Sequence, residues 1–182
     1  MSSPAPDVSP DEYFALDAVS DGKLEYYDGL TVAMAGASPR HNVVAGNLHE
    51  ALRQALRARG CFVAQSDQRT RLSATNTWVY PDVVVACAPR FEGPRPASLV
   101  NPELVVEVLS SSTEVQDLTA KLAHYRAAES VAEIVFVHLR ERLVEHHPRL
   151  DRDRGGVSLV RAGSVELPGV GVAIALDAIY AG

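Results

Sequence analysis

Apolar positions along the chain follow two periods. Val44, Leu48, Leu52 and Leu56, with Ala51 and Ala55 beside them, recur at helical spacing. They predict an amphipathic helix that Ser38-Pro39 opens and Gly60 closes. Trp78 to Ala86 and Leu104 to Leu109 are instead near-continuous runs of branched residues, which read as buried strands. Each of these runs contains one acid, Asp82 and Glu107. A buried carboxylate left alone costs many kcal/mol, so both demand a cation: a lysine, an arginine or a metal ion.

The remaining pattern fills in around these runs. Residues 1–8 read as a disordered tail. Ser9-Pro10-Asp11-Glu12 has the form of a capping box and predicts a short helix to about Ala18. Lys23 to Tyr27 and Leu30 to Met34 flank Asp28-Gly29, the strongest short hairpin signal, which puts Glu25 on a strand. Cys61 to Ala64 and Arg69 to Leu72 read as one strand or two pieces of one. Residues 87–102, with four prolines, read as loop. Ser110 to Thr113 offer caps for a third helix ending near Glu129, with Leu118, Leu122 and Tyr125 on its buried face and Lys121 at the rim of that face. Glu133 to Leu139 and Leu143 to His146 read as strands, followed by short strands and a helical turn at Leu176 to Tyr180. Sequential strands pair antiparallel, and the strand–helix–strand unit 104–139 predicts a parallel crossover. The expected fold is therefore a mixed β-sheet flanked by helices, α/β or α+β.

Composition narrows the classes. With 182 residues and 47% apolar content, one compact domain with a sizeable core is expected. No apolar run approaches the length of a membrane span, and the N-terminus lacks the basic and apolar regions of a secretory signal. Cys61 and Cys87 form no C-x-x-C pair, so two unpaired thiols in a cytoplasmic protein are expected. A net charge of −6 argues against bulk coating of nucleic acid. Arg40, Arg53, Arg57, Arg59, Arg69 and Arg71 cluster in one third of the chain, as a local basic patch or as a salt-bridged face.

If the strands of Asp82 and Glu107 are neighbours, the two acids lie side by side. At roughly 5 Å they repel by about 3 kcal/mol at an effective dielectric near 20. A divalent, oxygen-seeking ion such as magnesium relieves this with only one or two protein carboxylates. Simple ion pairing with Arg or Lys satisfies the same demand, and spacing does not separate the two. His41 falls in the first turn of the second helix, beside the hairpin, and joins the candidates. Zinc-protease, serine-hydrolase and phosphate-loop signatures are missing, and a single Trp leaves a glycosidase without a sugar platform.

Pro81-Asp82, then Glu107-Val108-Leu109, then a helix with Lys121, resembles the core of the PD-(D/E)XK nucleases. More narrowly the chain resembles the Uma-two family of restriction-endonuclease-like proteins. The resemblance covers residues 9–181: Leu24 to Gly29, Ser38-Pro39-Arg40-His41, Pro81-Asp82-Val83, Leu104 to Ser110, Asp117 to Tyr125, Leu167-Pro168-Gly169 and Leu176 to Tyr180. It implies one endonuclease-like domain over 9–182 with a β-rich C-terminal extension. It also implies a hydrolase that cuts DNA phosphodiester bonds with magnesium or manganese. Asp82, Glu107 and the Val108 carbonyl would hold the ion. Lys121 would position the attacking water, Glu25 would join the site to bind a second ion or orient water, and His41 and Arg40 would contact substrate. The wider superfamily has a lysine two residues after the second acid. Here that residue is Leu109, and Lys121 on the next helix takes over the charge. A homodimer is expected, because cutting both strands of a duplex needs two sites. The alternative is a DNA-binding or protein-interaction module that keeps the fold without turnover.

Overall fold

The computed structural model describes residues 7–109, 112–149 and 156–182, without the side chains of 112–118 and 120. Ser9 caps α1 (Pro10–Val19) through the predicted box: its N–H donates to the Glu12 carboxylate at 2.8 Å and its hydroxyl accepts the Glu12 N–H. Of the expected tail, 1–6 lie outside the described residues. Val8 is tied to the hairpin, its N–H on the Gly29 carbonyl at 2.9 Å and its own carbonyl accepting the Tyr26 hydroxyl at 2.8 Å. β1 (Leu24–Tyr27) and β2 (Leu30–Ala33) pair around Asp28 and Gly29, which both take the positive φ that a tight two-residue hairpin turn requires. α2 (Pro39–Leu56) starts at Ser38, whose hydroxyl accepts the His41 N–H, and ends through a single tight turn at Gly60, φ 65°. Val44, Leu48, Leu52 and Leu56 are buried as expected. Ala45 completes the stripe, and Ala55 is exposed.

Beyond α2 the sequence reading needs correction. β3 (Phe62–Gln65) and β4 (Thr70–Leu72) are separate strands in different sheets, and so are β5 (Thr77–Val79) and β6 (Val83–Ala86). Trp78 to Ala86 is thus two strands, and Asp82 sits in the joint between them. Pro81, with no N–H to give a ladder, marks the break. The proline-rich stretch expected as loop contains two short strands, β7 (Phe91–Glu92) and β8 (Ser98–Leu99).

β9 (Leu104–Leu109), α3 (Ser112–Ala127) and β10 (Glu133–His138) form the predicted unit, with β9 and β10 parallel in register Glu107↔Phe136. The expected caps Ser110 and Ser111 lie outside the described residues, as does the Leu118 side chain. β11 (Leu143–Pro148) and β12 (Ser158–Val160) extend the sheet, and β13 (Ser164–Leu167) with β14 (Val172–Ala175) make a separate hairpin before α4 (Leu176–Ile179). One sheet runs β12-β11-β10-β9-β6-β3 and the other β2-β1-β5-β4-β8-β7.

The first of these sheets is covered on both faces, which explains its unbroken apolar runs. Val83, Val85, Leu104, Val106 and Val135 face α2 and the C-terminal Leu167, Ile174 and Leu176. Val84, Val105, Leu109 and Phe136 face Tyr125 of α3 and Ala128 just beyond it, together with Leu72 and Val79 of the second sheet. A third cluster, Tyr13, Tyr26 and Trp78, fixes α1 to that second sheet.

The register Phe62↔Ala86 brings Cys61 and Cys87 opposite one another, and the structure joins them as a disulfide. The expectation of two unpaired thiols is wrong, and the compartment argument built on it loses its premise. Among the described residues no helix is long and apolar enough to cross a membrane.

Candidate active site

β6 and β9 pair antiparallel, Val83↔Val106 and Val84↔Val105, and the same register places Asp82 opposite Glu107. The ladder ends there, because Asp82 has left the strand. Its carboxylate replaces the missing rung: Oδ2 accepts the Val108 N–H at 2.7 Å and lies 3.1 Å from His41 Nε2. His41 reaches it from the first turn of α2, which Ser38 fixes. The Ser66 N–H donates to the Asp82 carbonyl at 3.0 Å, so the acid is held at both ends where the chain passes between sheets.

Glu107 lies on the α3 face of β9 and is 8% exposed. Its Oε1 accepts the Tyr125 hydroxyl and the Lys121 ammonium, the latter at 3.2 Å. Lys121 also meets Oε1 of Glu25 at 2.8 Å. Glu25 is on β1 of the second sheet, so the lysine bridges the two sheets. Glu25 is itself tightly bound: Oε1 accepts the Tyr80 N–H at 3.1 Å, and Oε2 accepts the Tyr27 hydroxyl at 2.7 Å.

Five sequence-predicted residues, Glu25, His41, Asp82, Glu107 and Lys121, therefore converge, together with Val108. Arg40 does not join them. It is exposed, and its charge is felt at the Tyr180 hydroxyl near α4. Nor do the six arginines form one patch: Arg69 is buried, and Arg71 lies over Trp78. Tyr27 and Tyr125 were not expected in the site. Their signal was a phenol next to strand or helix residues bearing charge, since a buried tyrosine hydroxyl needs a partner.

Burial pushes the Glu107 carboxyl up to about 7; the Lys121 charge opposes this, and Asp82 and Glu25 add to it. Burial works against the Lys121 ammonium too, but Glu107 and Glu25 outweigh it and hold the lysine charged, above its ordinary range. Burial thus favours the neutral form of the Glu107 carboxyl. Because the native group binds its proton more tightly than the unfolded one, its stabilisation is present at acid pH and is lost as pH rises through about 7. Metal-free wild type is expected to lose on the order of 3 kcal/mol between pH 4.5 and 8 relative to Glu107→Gln. Urea midpoints of both proteins across that range check this; parallel curves would refute it.

The bonds described for the Asp82 and Glu107 carboxylates fall on one oxygen of each. Oδ2 and Oε1 are engaged, and the second oxygen of each carries none of them. Among the described residues no set of three or more His, Cys, Asp or Glu side chains cages an ion by itself. A hard cation that keeps its waters needs only one or two carboxylates, which Asp82 and Glu107 fit, with the Val108 carbonyl adjoining.

A family model named Uma2, described as "Putative restriction endonuclease", matches residues 10–172. An uncharacterized protein of Synechocystis sp. is 31% identical over 182 residues, covering 100% of this chain and 95% of the relative. A second uncharacterized protein of the same organism is 30% identical over 140 residues, 76% of this chain and 79% of the relative. A crystal structure from Anabaena variabilis ATCC 29413, described as a putative nuclease belonging to DUF820, superposes with a TM-score of 0.71. It shares 14% identity and covers 93% of this chain and 96% of that one. It shares the fold, the mixed sheet and flanking helices of restriction-endonuclease-like proteins.

Proposed function

The chain belongs to the Uma2 family, and from that premise we propose that it is a metal-dependent phosphodiesterase that hydrolyses DNA. The observation that carries this reading is the Asp82–Glu107–Lys121 arrangement: two acids opposite each other at the end of a ladder, with an ammonium 3.2 Å from the second. Asp82 and Glu107 would hold magnesium or manganese with the Val108 carbonyl. Such an ion polarises a phosphoryl oxygen and lowers the pKa of its water.

The chain's own groups do the rest. Lys121 offsets negative charge developing on the phosphate and orients the incoming water. Glu25, with both oxygens engaged, holds Lys121 rather than binding a second ion. His41 steadies Asp82 at the mouth of the site.

Two measurements test the reading. Magnesium or manganese at about a hundred times its Kd is expected to stabilise the protein by roughly 2.7 kcal/mol in a thermal melt. Asp82→Asn keeps an acceptor for the Val108 N–H and is expected to abolish that response. Supercoiled, linear and branched DNA are then incubated with the loaded protein. Cleavage that requires Asp82 supports the nuclease. No melt shift at millimolar metal and no cleavage of any form would overturn it, and DNA binding without turnover would assign the chain to the non-catalytic reading.

A further inference from the structure

Glu107 is held in one orientation by two donors from a single turn of α3. Lys121 and Tyr125 are four residues apart, so their side chains stack on one face of the helix. Both reach Oε1. A glutamate has no strong intrinsic preference about its last torsion, so the plane of its carboxylate is set by its partners.

Tyr125 is the more rigid of the two. Its ring is fully buried in the cluster that includes Val105, Leu109, Ile134 and Phe136. Packing therefore fixes where the hydroxyl points, while the lysine stem has four torsions. The ring alone would fill this space as phenylalanine; the hydroxyl adds only its bond to the acid. It is a donor placed in an apolar layer and aimed at the Glu107 carboxylate.

We propose that Tyr125 is a positioning residue for metal binding: its hydroxyl captures Oε1 of Glu107 and thereby turns Oε2 toward the ion shared with Asp82. This rests on the reading of Glu107 as a metal ligand. The hydroxyl touches neither substrate nor ion. It acts by removing the rotation that Glu107 would otherwise have to give up when the ion enters. Partners of this kind typically change metal affinity roughly 10–100-fold when removed.

The test is titration calorimetry of manganese into the full chain, with cleavage assayed at limiting and saturating metal. Tyr125→Phe is expected to weaken the manganese Kd by roughly 10–100-fold. Cleavage should fall in proportion at limiting metal and recover at saturating metal, with the KM for DNA unchanged. A merely structural hydroxyl would lower the melting temperature and leave the Kd alone. A folded Tyr125→Phe with a Kd within about twofold of wild type overturns the proposal.

If Tyr125→Phe does not fold, 4-aminophenylalanine and 4-fluorophenylalanine at the same position supply the comparison. Both fill the space of the phenol and only the first donates. The amino form is expected to restore near wild-type affinity and the fluoro form is not; equal affinities overturn the proposal. Wild type that takes up no manganese overturns the metal site itself. Metal-dependent wild type with an unaffected Tyr125→Phe overturns this inference alone.

Discussion

Lys121→Met is expected to lose at least two orders of magnitude in DNA cleavage while still responding to metal. Leu109 stands where a cation would complete the strand, so the charge must come from elsewhere, and Lys121 is the cation bonded to Glu107. Its position is not that of an exposed helix residue. The ammonium lies between Oε1 of Glu25 and Oε1 of Glu107, 2.8 and 3.2 Å away, and its side chain is 17% exposed. A preorganised charge at a developing anion typically contributes about 3–4 kcal/mol, or roughly a hundred- to thousandfold in rate. Methionine keeps the stem and deletes the charge. It leaves two buried carboxylates without their shared partner, so metal-free Lys121→Met should also be less stable, on the order of 3 kcal/mol. Bound ion should recover part of that loss, because it supplies charge to Glu107. The check is single-turnover cleavage at saturating metal, below the variant's melting temperature, beside its melt with and without manganese. Cleavage within about threefold of wild type would show that the cation has been assigned to the wrong residue.

The parts of this site that could be read from sequence were those fixed by local rules. Ser9 and Ser38 announce their helices because each supplies an acceptor to orphan N–H groups. Asp28-Gly29 announces its hairpin because both residues must take positive φ. Asp82 and Glu107 could be placed opposite each other because two sequential apolar runs pair in register. What could not be read was which sheet a strand joins. Thr77 to Val79 and Val83 to Ala86 have one apolar character, and only Pro81 hints that the chain crosses from one sheet to the other between them. The same holds for Gln65 and Thr70. The disulfide depends on a register between strands whose cysteines lie 26 residues apart, which no local pattern specifies. Glu25 is the clearest case. As an acid in a short hairpin it carries no signal of its own. The family resemblance singled it out, and its partners Tyr80 and Lys121 come from distant parts of the chain. The arginines were misread for a related reason: Arg69 lies just before β4 and is buried against Asp17, while Arg71, on β4, lies over Trp78 and pairs with Glu92, and nothing in the local pattern separates these two environments.

Arg69→Met is expected to destabilise the protein by about 3–5 kcal/mol, the largest stability loss among the arginines named here. Arg69 is 3% exposed. Its guanidinium donates to Asp17 Oδ2 at 3.0 Å, to the Ser98 hydroxyl at 3.0 Å and to the carbonyls of Pro94 and Pro96. It lies over the Phe14 ring, 4.7 Å from its centroid. Methionine would fill much of the volume but would leave Asp17 buried and unneutralised, and the proline carbonyls without donors. Asp17 also accepts the Leu24 N–H and the Tyr80 hydroxyl, so the loss reaches both the neighbour of Glu25 on β1 and the residue whose N–H bonds to Glu25. Arg71→Met is the matched control. Its pair with Glu92, at 3.4 Å, is partly exposed, and with the Trp78 stacking it contributes at most about 1–2 kcal/mol. Urea unfolding of the two variants checks the contrast. Arg69→Met should lower the melting temperature by roughly 10 °C as well, and should lower DNA cleavage at temperatures where Glu25 is no longer held. Equal, small losses for both substitutions would mean that Arg69 is as well solvated as Arg71, and that α1 and the proline-rich segment are not fastened through it.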